Sequence, residues 1–291
     1  MTRLLELPNP FSGDRGRIRL LENPGCDRAA LVARLVAGTY DKPFVVEEGD
    51  SRLLHFSKKY IQSSMRLSDP LALEFAYTRK MMGFLLFVHQ PESILMLGLG
   101  GGSLAKYCHR HLPLTRTTVI EIDPRVLAFR ELFLVPPDDA RLRVLVGDCA
   151  DYLRLCRAEQ DVVMMDAYDR NGLSASVYTA GFYLNVRDAL THRGMLVANM
   201  VGSKTEYGAH LEMIADAFRG NLILLPIESD DNCLVFAFRD ESFEPRWRWI
   251  ENQAKGMRSR YGLDFPMFAA KLKQRRKNGN LQEILRHAEV W

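Results

Sequence analysis

The chain has 291 residues, 47% of them hydrophobic and 26% charged, with a formal net charge of +3. This describes an ordinary globular protein with one main domain and smaller appendages, and so small a charge does not by itself point to nucleic acid. The longest apolar runs, such as residues 84–88, fall far below the ~18 residues of a membrane span, and the N-terminus lacks a signal-peptide core, so a cytoplasmic protein without a membrane partner is expected.

Taken in chain order, residues 1–42 carry breakers at Pro8, Pro10, Gly13, Pro24 and Gly25 and support one helix only, Arg28–Ala37. Phe44–Glu48, a Gly49-Asp50 turn and residues 52–56 predict a hairpin, and residues 60–65 a third strand, together a small β appendage. Leu73, Ala76, Tyr77, Met81, Phe84, Leu85 and Val88 recur at helical spacing, which predicts a helix over residues 71–88 that Pro91 stops.

Strands and helices then alternate, the pattern of a parallel sheet covered on both faces. Strands are expected at 94–97, 117–122, 142–146, 162–165 and 195–199, with helices at 104–112, 124–133, 150–157 and 183–190. After a helix at 209–218, strands at 222–225 and 234–238 are joined by the polar turn Glu228-Ser229-Asp230-Asp231-Asn232, too short for a crossover helix. Such a terminal antiparallel hairpin belongs to adenosylmethionine-dependent transferases rather than to a plain dinucleotide domain. The expected fold is therefore α/β, a doubly wound, mostly parallel seven-stranded sheet of the methyltransferase-like Rossmann type. It divides into an N-terminal segment at 1–70, a nucleoside-binding catalytic domain at 71–240 and a helical extension at 241–291. The basic run Lys271-Leu272-Lys273-Gln274-Arg275-Arg276-Lys277 has no interleaved aromatics, so a solvated helix face is expected there rather than a nucleic-acid contact. Five cysteines without a CxxC pair argue for buried free thiols and against a disulfide framework or a metal site.

The chemistry-bearing residues cluster at the strand ends. Gly98, Gly100 and Gly102 form a loop between strand and helix, where missing side chains let backbone N–H groups approach a polar ligand. Dinucleotide enzymes share this loop, so it is weak evidence alone. Glu121 ends the next strand, where a carboxylate can accept both hydroxyls of a ribose, and Asp123 can join it or cap the helix that Pro124 opens. Asp148, beside Cys149, can accept from an adenine amino group, cap the following helix, or do both. In Asp161-Val162-Val163-Met164-Met165-Asp166-Ala167-Tyr168-Asp169, a buried strand delivers Asp166 and Asp169 to the ligand-binding edge. The pair can hold a cationic amine and take its proton as it attacks a carbon beside a sulfonium, or can build an Asx-turn into the Arg170-Asn171-Gly172 loop.

From about Val45 to Asn199 the chain resembles the polyamine aminopropyltransferase family, the spermidine and spermine synthases. The motifs are Tyr60-Ile61-Gln62-Ser63-Ser64-Met65, Glu74-Phe75-Ala76-Tyr77, the glycine loop, Glu121-Ile122-Asp123, Gly147-Asp148, Asp166-Ala167-Tyr168-Asp169 and Tyr178-Thr179-Ala180-Gly181-Phe182-Tyr183. The resemblance implies aminopropyl transfer from decarboxylated S-adenosylmethionine to a small-molecule amine, without metal, in a homodimer. Gln62, Gly98, Gly100, Gly102, Glu121, Asp148 and Cys149 would bind the donor, Tyr77 and Asp169 the amine, and Asp166 would be the catalytic proton acceptor. The sequence departs from the family pattern at Gly101, where members usually carry an aspartate for the donor's amino group, at Thr78 for a histidine and at Leu173 for a proline. It also lacks the tyrosine- and proline-rich insertion after Asn199. Without an aspartate at 101 the loop N–H groups favour an anion, so a methyltransferase using intact S-adenosylmethionine, or a nucleoside-binding protein without turnover, are the alternatives.

Overall fold

Ile94, Leu95, Met96 and Leu97 are all buried, which a strand achieves only when both faces of its sheet are covered. The computed structural model describes residues 4–12, 15–169, 172–173, 175–202, 204–227 and 232–278. It begins with a five-stranded antiparallel sheet of β1 (Leu5–Pro8), β2 (Arg17–Leu20), β3 (Phe44–Glu48), β4 (Ser51–His55) and β5 (Ile61–Arg66), paired in that order. Helix α1 (Arg28–Ala37) lays Leu31 and Leu35 against Ile18, Leu20 and Phe44. Asp27 caps it by accepting from Ala29 and Ala30 N–H, and Gly38 ends it in the left-handed conformation. The helix stands where the sequence places it, but β1 and β2 correct the expectation for residues 1–42. Each has four residues and offers only two inward side chains, too brief an alternation to register as a strand.

The helix expected at 71–88 is also corrected. Only α2 (Ala76–Met81) is α-helical, and it tightens into a 3₁₀ segment at Met82–Leu86. Arg79 donates to the carbonyls of Leu73 and Glu74, holding the preceding residues outside the helix. At the other end Gly83 lies so close to the Phe236 ring that a Cβ there would be 3.5 Å away.

The main sheet comprises β6 (Ser93–Leu97), β7 (Arg116–Glu121), β8 (Leu142–Val146), β9 (Gln160–Met165), a short hairpin pair β10 (Tyr168–Asp169) and β11 (Gly172–Leu173) outside it, then β12 (Leu190–Val201), β13 (Leu222–Ile227) and β14 (Asn232–Phe238). Its seven strands run β13-β14-β12-β9-β6-β7-β8, parallel from β12 to β8, with β14 antiparallel to both its neighbours. The doubly wound sheet and its terminal hairpin are thus as expected. Order reverses at β6, whose two neighbours β7 and β9 continue the chain in opposite directions, and such a switch point opens a ligand crevice at the strands' C-terminal ends.

The connecting helices are α3 (Ser103–His111), α4 (Pro124–Leu127), α5 (Cys149–Leu155), α6 (Ala180–Ala189) and α7 (Lys204–Ala217), followed by α8 (Trp247–Tyr261) and α9 (Phe265–Asn278). Met96, Val162 and Met164 pack toward Phe84, Ile250 and Leu272 on one face, whereas Leu97, Val163 and Met165 meet Leu153, Val186 and Ile214 on the other. The helix expected over 124–133 stops at Leu127 and continues as turns closed by i→i−3 bonds, Phe129 N–H to Val126 O and Arg130 N–H to Leu127 O, while Arg52 and Lys106 satisfy the carbonyls of Leu132 and Phe133. The basic run lies on α9, where Lys273 pairs with Glu251 and Arg276 with Glu244. Four of the five cysteines are buried thiols. Among the described residues no helix is long and apolar enough to cross a membrane.

Candidate active site

The glycine loop leaves β6 at the switch point. Gly98, Gly100 and Gly102 all adopt positive φ, and Gly102 stands at the start of α3. Gly98 has a second reason to be glycine, since a Cβ there would lie 2.3 Å from the Asp166 carbonyl oxygen. The loop and the end of β9 are thus in backbone contact, and the Asp166 N–H donates to Leu97 O at 3.0 Å. Two segments that are far apart in sequence form one corner of a cavity of about 800 Å³.

Glu121, at the end of β7, forms the second corner. It is buried, and its carboxylate accepts from the N–H of Leu99 at 2.9 Å and of Asp123 at 2.9 Å. Burial pushes its acidity to the weak side of the ordinary carboxylate range, against these backbone donors. Asp123 itself caps α4 and grips Arg125. Asp148 caps α5 by accepting from Ala150 N–H at 2.7 Å, and its neighbour Cys149 lines the cavity. Burial raises the Cys149 thiol to about 12, so it meets a ligand as a neutral group.

Asp166 closes the third corner. Tyr77 Oη donates to its Oδ2 at 3.0 Å, and Asn199 Nδ2 donates to its Oδ1 at 2.9 Å. Packing around the carboxyl raises its pKa, and these two hydrogen bonds oppose the rise by stabilising the carboxylate. Tyr77 reaches it from α2, with its ring stacked on Phe75. The Tyr168 hydroxyl bridges the Asn199 carbonyl and the Val201 N–H, at 2.8 Å to each. Asp169 pairs with Gly172 through the β10–β11 ladder, but its side chain lies outside the described residues.

Gln62 and Ser63 line the same cavity from β5. Strict strand alternation would send neighbours to opposite faces. Here Leu54 pairs with Ser63 and His55 with Ile61, leaving Gln62 as the extra residue of a β-bulge. Of the expected site residues, the cavity therefore gathers Gln62, Tyr77, Gly98, Gly100, Glu121, Cys149 and Asp166, and Gly102 and Asp148 are next in sequence to the lining residues Ser103 and Cys149. The sequence reading missed Asn199 and Asn232. Asn232 Nδ2 donates to Asn199 Oδ1 at 3.0 Å, so the Asn199 amide is held with its nitrogen toward Asp166. A buried polar residue ending an apolar strand is the available signal, and Asn199 is that residue.

The described residues of the cavity wall include two carboxylates, Glu121 and Asp166, and no lysine, arginine or histidine. The arrangement suits a cationic ligand. Among the described residues no cluster of three or more His, Cys, Asp or Glu could hold a metal ion.

Comparison with known proteins places this geometry. The family model of the spermine/spermidine synthase domain matches residues 74–217. A polyamine aminopropyltransferase of Chromobacterium violaceum is 34% identical over 79% of this chain and 88% of its own length. A probable spermidine synthase from Corynebacterium glutamicum superposes with a TM-score of 0.59 at 21% identity, covering 75% of this chain and 85% of that one. Human methyltransferase-like protein 13, solved with SAH, gives 0.57 at 20% identity, covering 65% and 93%. The parallel sheet with its terminal hairpin is a methyltransferase-like α/β fold, and the relatives named polyamine aminopropyltransferase make the protein a transferase. Within that class, the identity to the Chromobacterium protein over most of both chains settles the matter: the chain belongs to the spermine/spermidine synthase family.

Proposed function

We propose that the protein transfers the aminopropyl group of decarboxylated S-adenosylmethionine to a small amine. The observation that carries this is the cavity's charge: two carboxylates among its described lining residues and no cationic side chain. The decarboxylated donor presents a sulfonium and an ammonium, and the acceptor a second amine. An intact S-adenosylmethionine would add a third carboxylate to a cavity that already holds Glu121 and Asp166 and has no cationic side chain among its described lining residues, which outweighs the loop N–H groups and disfavours the methyltransferase alternative.

In this reading the adenosine lies between the glycine loop and Glu121, whose carboxylate faces the ribose hydroxyls. Asp148 caps α5 with Oδ1 and offers its other oxygen to the adenine amino group. The acceptor lies toward Tyr77 and Asp166, with Asp169 beside them. Asp166 takes a proton from the acceptor's ammonium, and the freed nitrogen lone pair attacks the methylene carbon next to the sulfonium. The new C–N bond forms as the C–S bond breaks, its electron pair returns to sulfur, and neutral methylthioadenosine leaves. Catalysis comes from holding the two substrates in line and from proton removal.

Calorimetry with the decarboxylated and the intact donor tests the assignment. The decarboxylated compound is expected to bind at least tenfold more tightly, about 1.4 kcal/mol. Tighter binding of the intact form would overturn it.

A further inference from the structure

Helix α8 turns its apolar side to the core and its charge outward. Ile250, Ala254, Met257 and Tyr261 are buried. Residues 246–278 hold ten lysines and arginines against two acidic residues, a net +8 in a chain whose total is +3. The rest of the chain is therefore net acidic, and the excess of positive charge sits on one helical hairpin. On α9 part of it is neutralised in the ion pairs of Lys273 and Arg276. Along α8 and at its cap it is not, since Arg246, Arg248, Lys255, Arg258 and Arg260 are exposed and have no acidic partner among the described residues.

The outward side chains form two adjacent rows. Arg248, Asn252, Lys255 and Ser259 recur at i, i+4, i+7 and i+11, and Trp249, Gln253, Gly256 and Arg260 repeat that spacing one residue later, all eight exposed. Neither row holds a carboxylate, and each runs roughly 16 Å along the helix, room for several nucleotides of a single strand. Two members of the second row have no explanation inside the fold. Trp249 meets the His89 ring at 4.7 Å yet remains 48% exposed. Gly256 stands in mid-helix, where glycine is destabilising relative to alanine, although a Cβ there would meet nothing within 4 Å. A helix surface bare at that point lets an external backbone come close.

Arginine pairs bidentately with phosphate, and an exposed indole stacks on unpaired bases. Asn252, Gln253 and Ser259 can donate to and accept from a ribose 2′-hydroxyl. A membrane surface fits less well, because an interfacial helix buries an apolar face in lipid and that face of α8 is already in the core. We propose that the outer face of α8 binds single-stranded RNA, with phosphates along the row of Arg248 and Lys255 and a base stacked on Trp249. None of these residues lines the catalytic cavity, so this surface is separate from the aminopropyl site.

Fluorescence anisotropy of the full chain with a labelled oligouridylate of about 20 nucleotides tests it. The unsubstituted chain is expected to bind, its log K falling against log salt by about 0.7 for each phosphate neutralised. Arg248→Gln combined with Lys255→Gln should weaken binding about tenfold and reduce that slope by about 1.4. Trp249→Ala should weaken it about tenfold with the slope unchanged, because stacking releases no counterions. Gly256→Gln should raise the unfolding temperature and still weaken binding, which separates contact from folding. Absence of binding by the unsubstituted chain, or one affinity shared by all variants, overturns the proposal. So does equal or tighter binding of a polyaspartate of matched length, which would make the partner an acidic protein, of an oligodeoxyuridylate, which would make it DNA, or of phosphatidylglycerol vesicles, which would make it a membrane.

Discussion

Asn199 holds Asp166 by a 2.9 Å hydrogen bond from a side chain that is itself 1% exposed. Because Asn232 occupies the Asn199 oxygen, the amide can turn only its donor toward the carboxylate. The pair thus favours the ionised form of Asp166 in surroundings that otherwise disfavour it.

The pH profile of kcat/KM reads this balance. Asp166 must be ionised to accept a proton, so activity falls as pH drops through its raised pKa. Asn199→Ala removes a donor to the carboxylate, raises that pKa further, and is expected to move the acidic limb about one unit toward higher pH. Asn232→Ala acts through Asn199 and should move the limb the same way by less. A limb that stays in place in both variants would assign the titration to another group.

Asp166→Asn keeps the size of the side chain and removes its basicity. Turnover, measured as methylthioadenosine released, is expected to fall by about 10² to 10⁴. Methylthioadenosine binding should survive, because the adenosine is proposed to lie at the glycine loop and Glu121. Unchanged turnover would sink the role given to Asp166.

Gly98 and Gly100 both have positive φ, but their surroundings differ. A Cβ at 98 would meet the Asp166 carbonyl, whereas one at 100 would meet nothing within 4 Å. Gly100→Ala should cost about 1–2 kcal/mol of stability through conformation alone. Gly98→Ala should cost clearly more and should also weaken methylthioadenosine binding, since the loop must retreat from β9. Equilibrium urea unfolding of the two variants gives the comparison.

Lys106 is 2% exposed on α3 and donates to the carbonyls of Pro70 and Phe133 at 2.8 and 2.7 Å. Burial, with Arg52 nearby adding to it, lowers its pKa from 10.5 to about 8. Between these values the unfolded chain binds more protons than the native one, so this group adds stability as pH rises from 8 to 10.5, in all about 3 kcal/mol. Lys106→Met carries no charge to lose. Subtracting its unfolding free energy from that of the unsubstituted chain should give a difference that grows in favour of lysine across this window. A flat difference would place the native pKa of Lys106 at its ordinary value.

Much of this architecture was legible because the parallel strands are short, apolar and bounded by glycine or acidic residues. The same punctuation located Gly98, Glu121 and Asp166 at strand ends, which is where the cavity opens. Asn199 and Asn232 were not legible as a pair, because only the antiparallel register of β12 and β14, with Val201 opposite Asn232, brings them together. Ser63 was hidden by the bulge, since period-2 reasoning places it and Gln62 on opposite faces. Tyr178-Thr179-Ala180-Gly181-Phe182-Tyr183 proved largely architectural, with Thr179 capping α6 and the buried Tyr183 hydroxyl bonded to His210.

The backbone contact between Gly98 and Asp166 joins two halves of the cavity that come from different parts of the chain. One half is built by β5, β6 and β7, and the other by the segment after β9 together with β12 and β14. Under the proposed reading, with the nucleoside on the first half and the amine toward the second, substitutions along the second half change which amine is accepted without rebuilding the donor site.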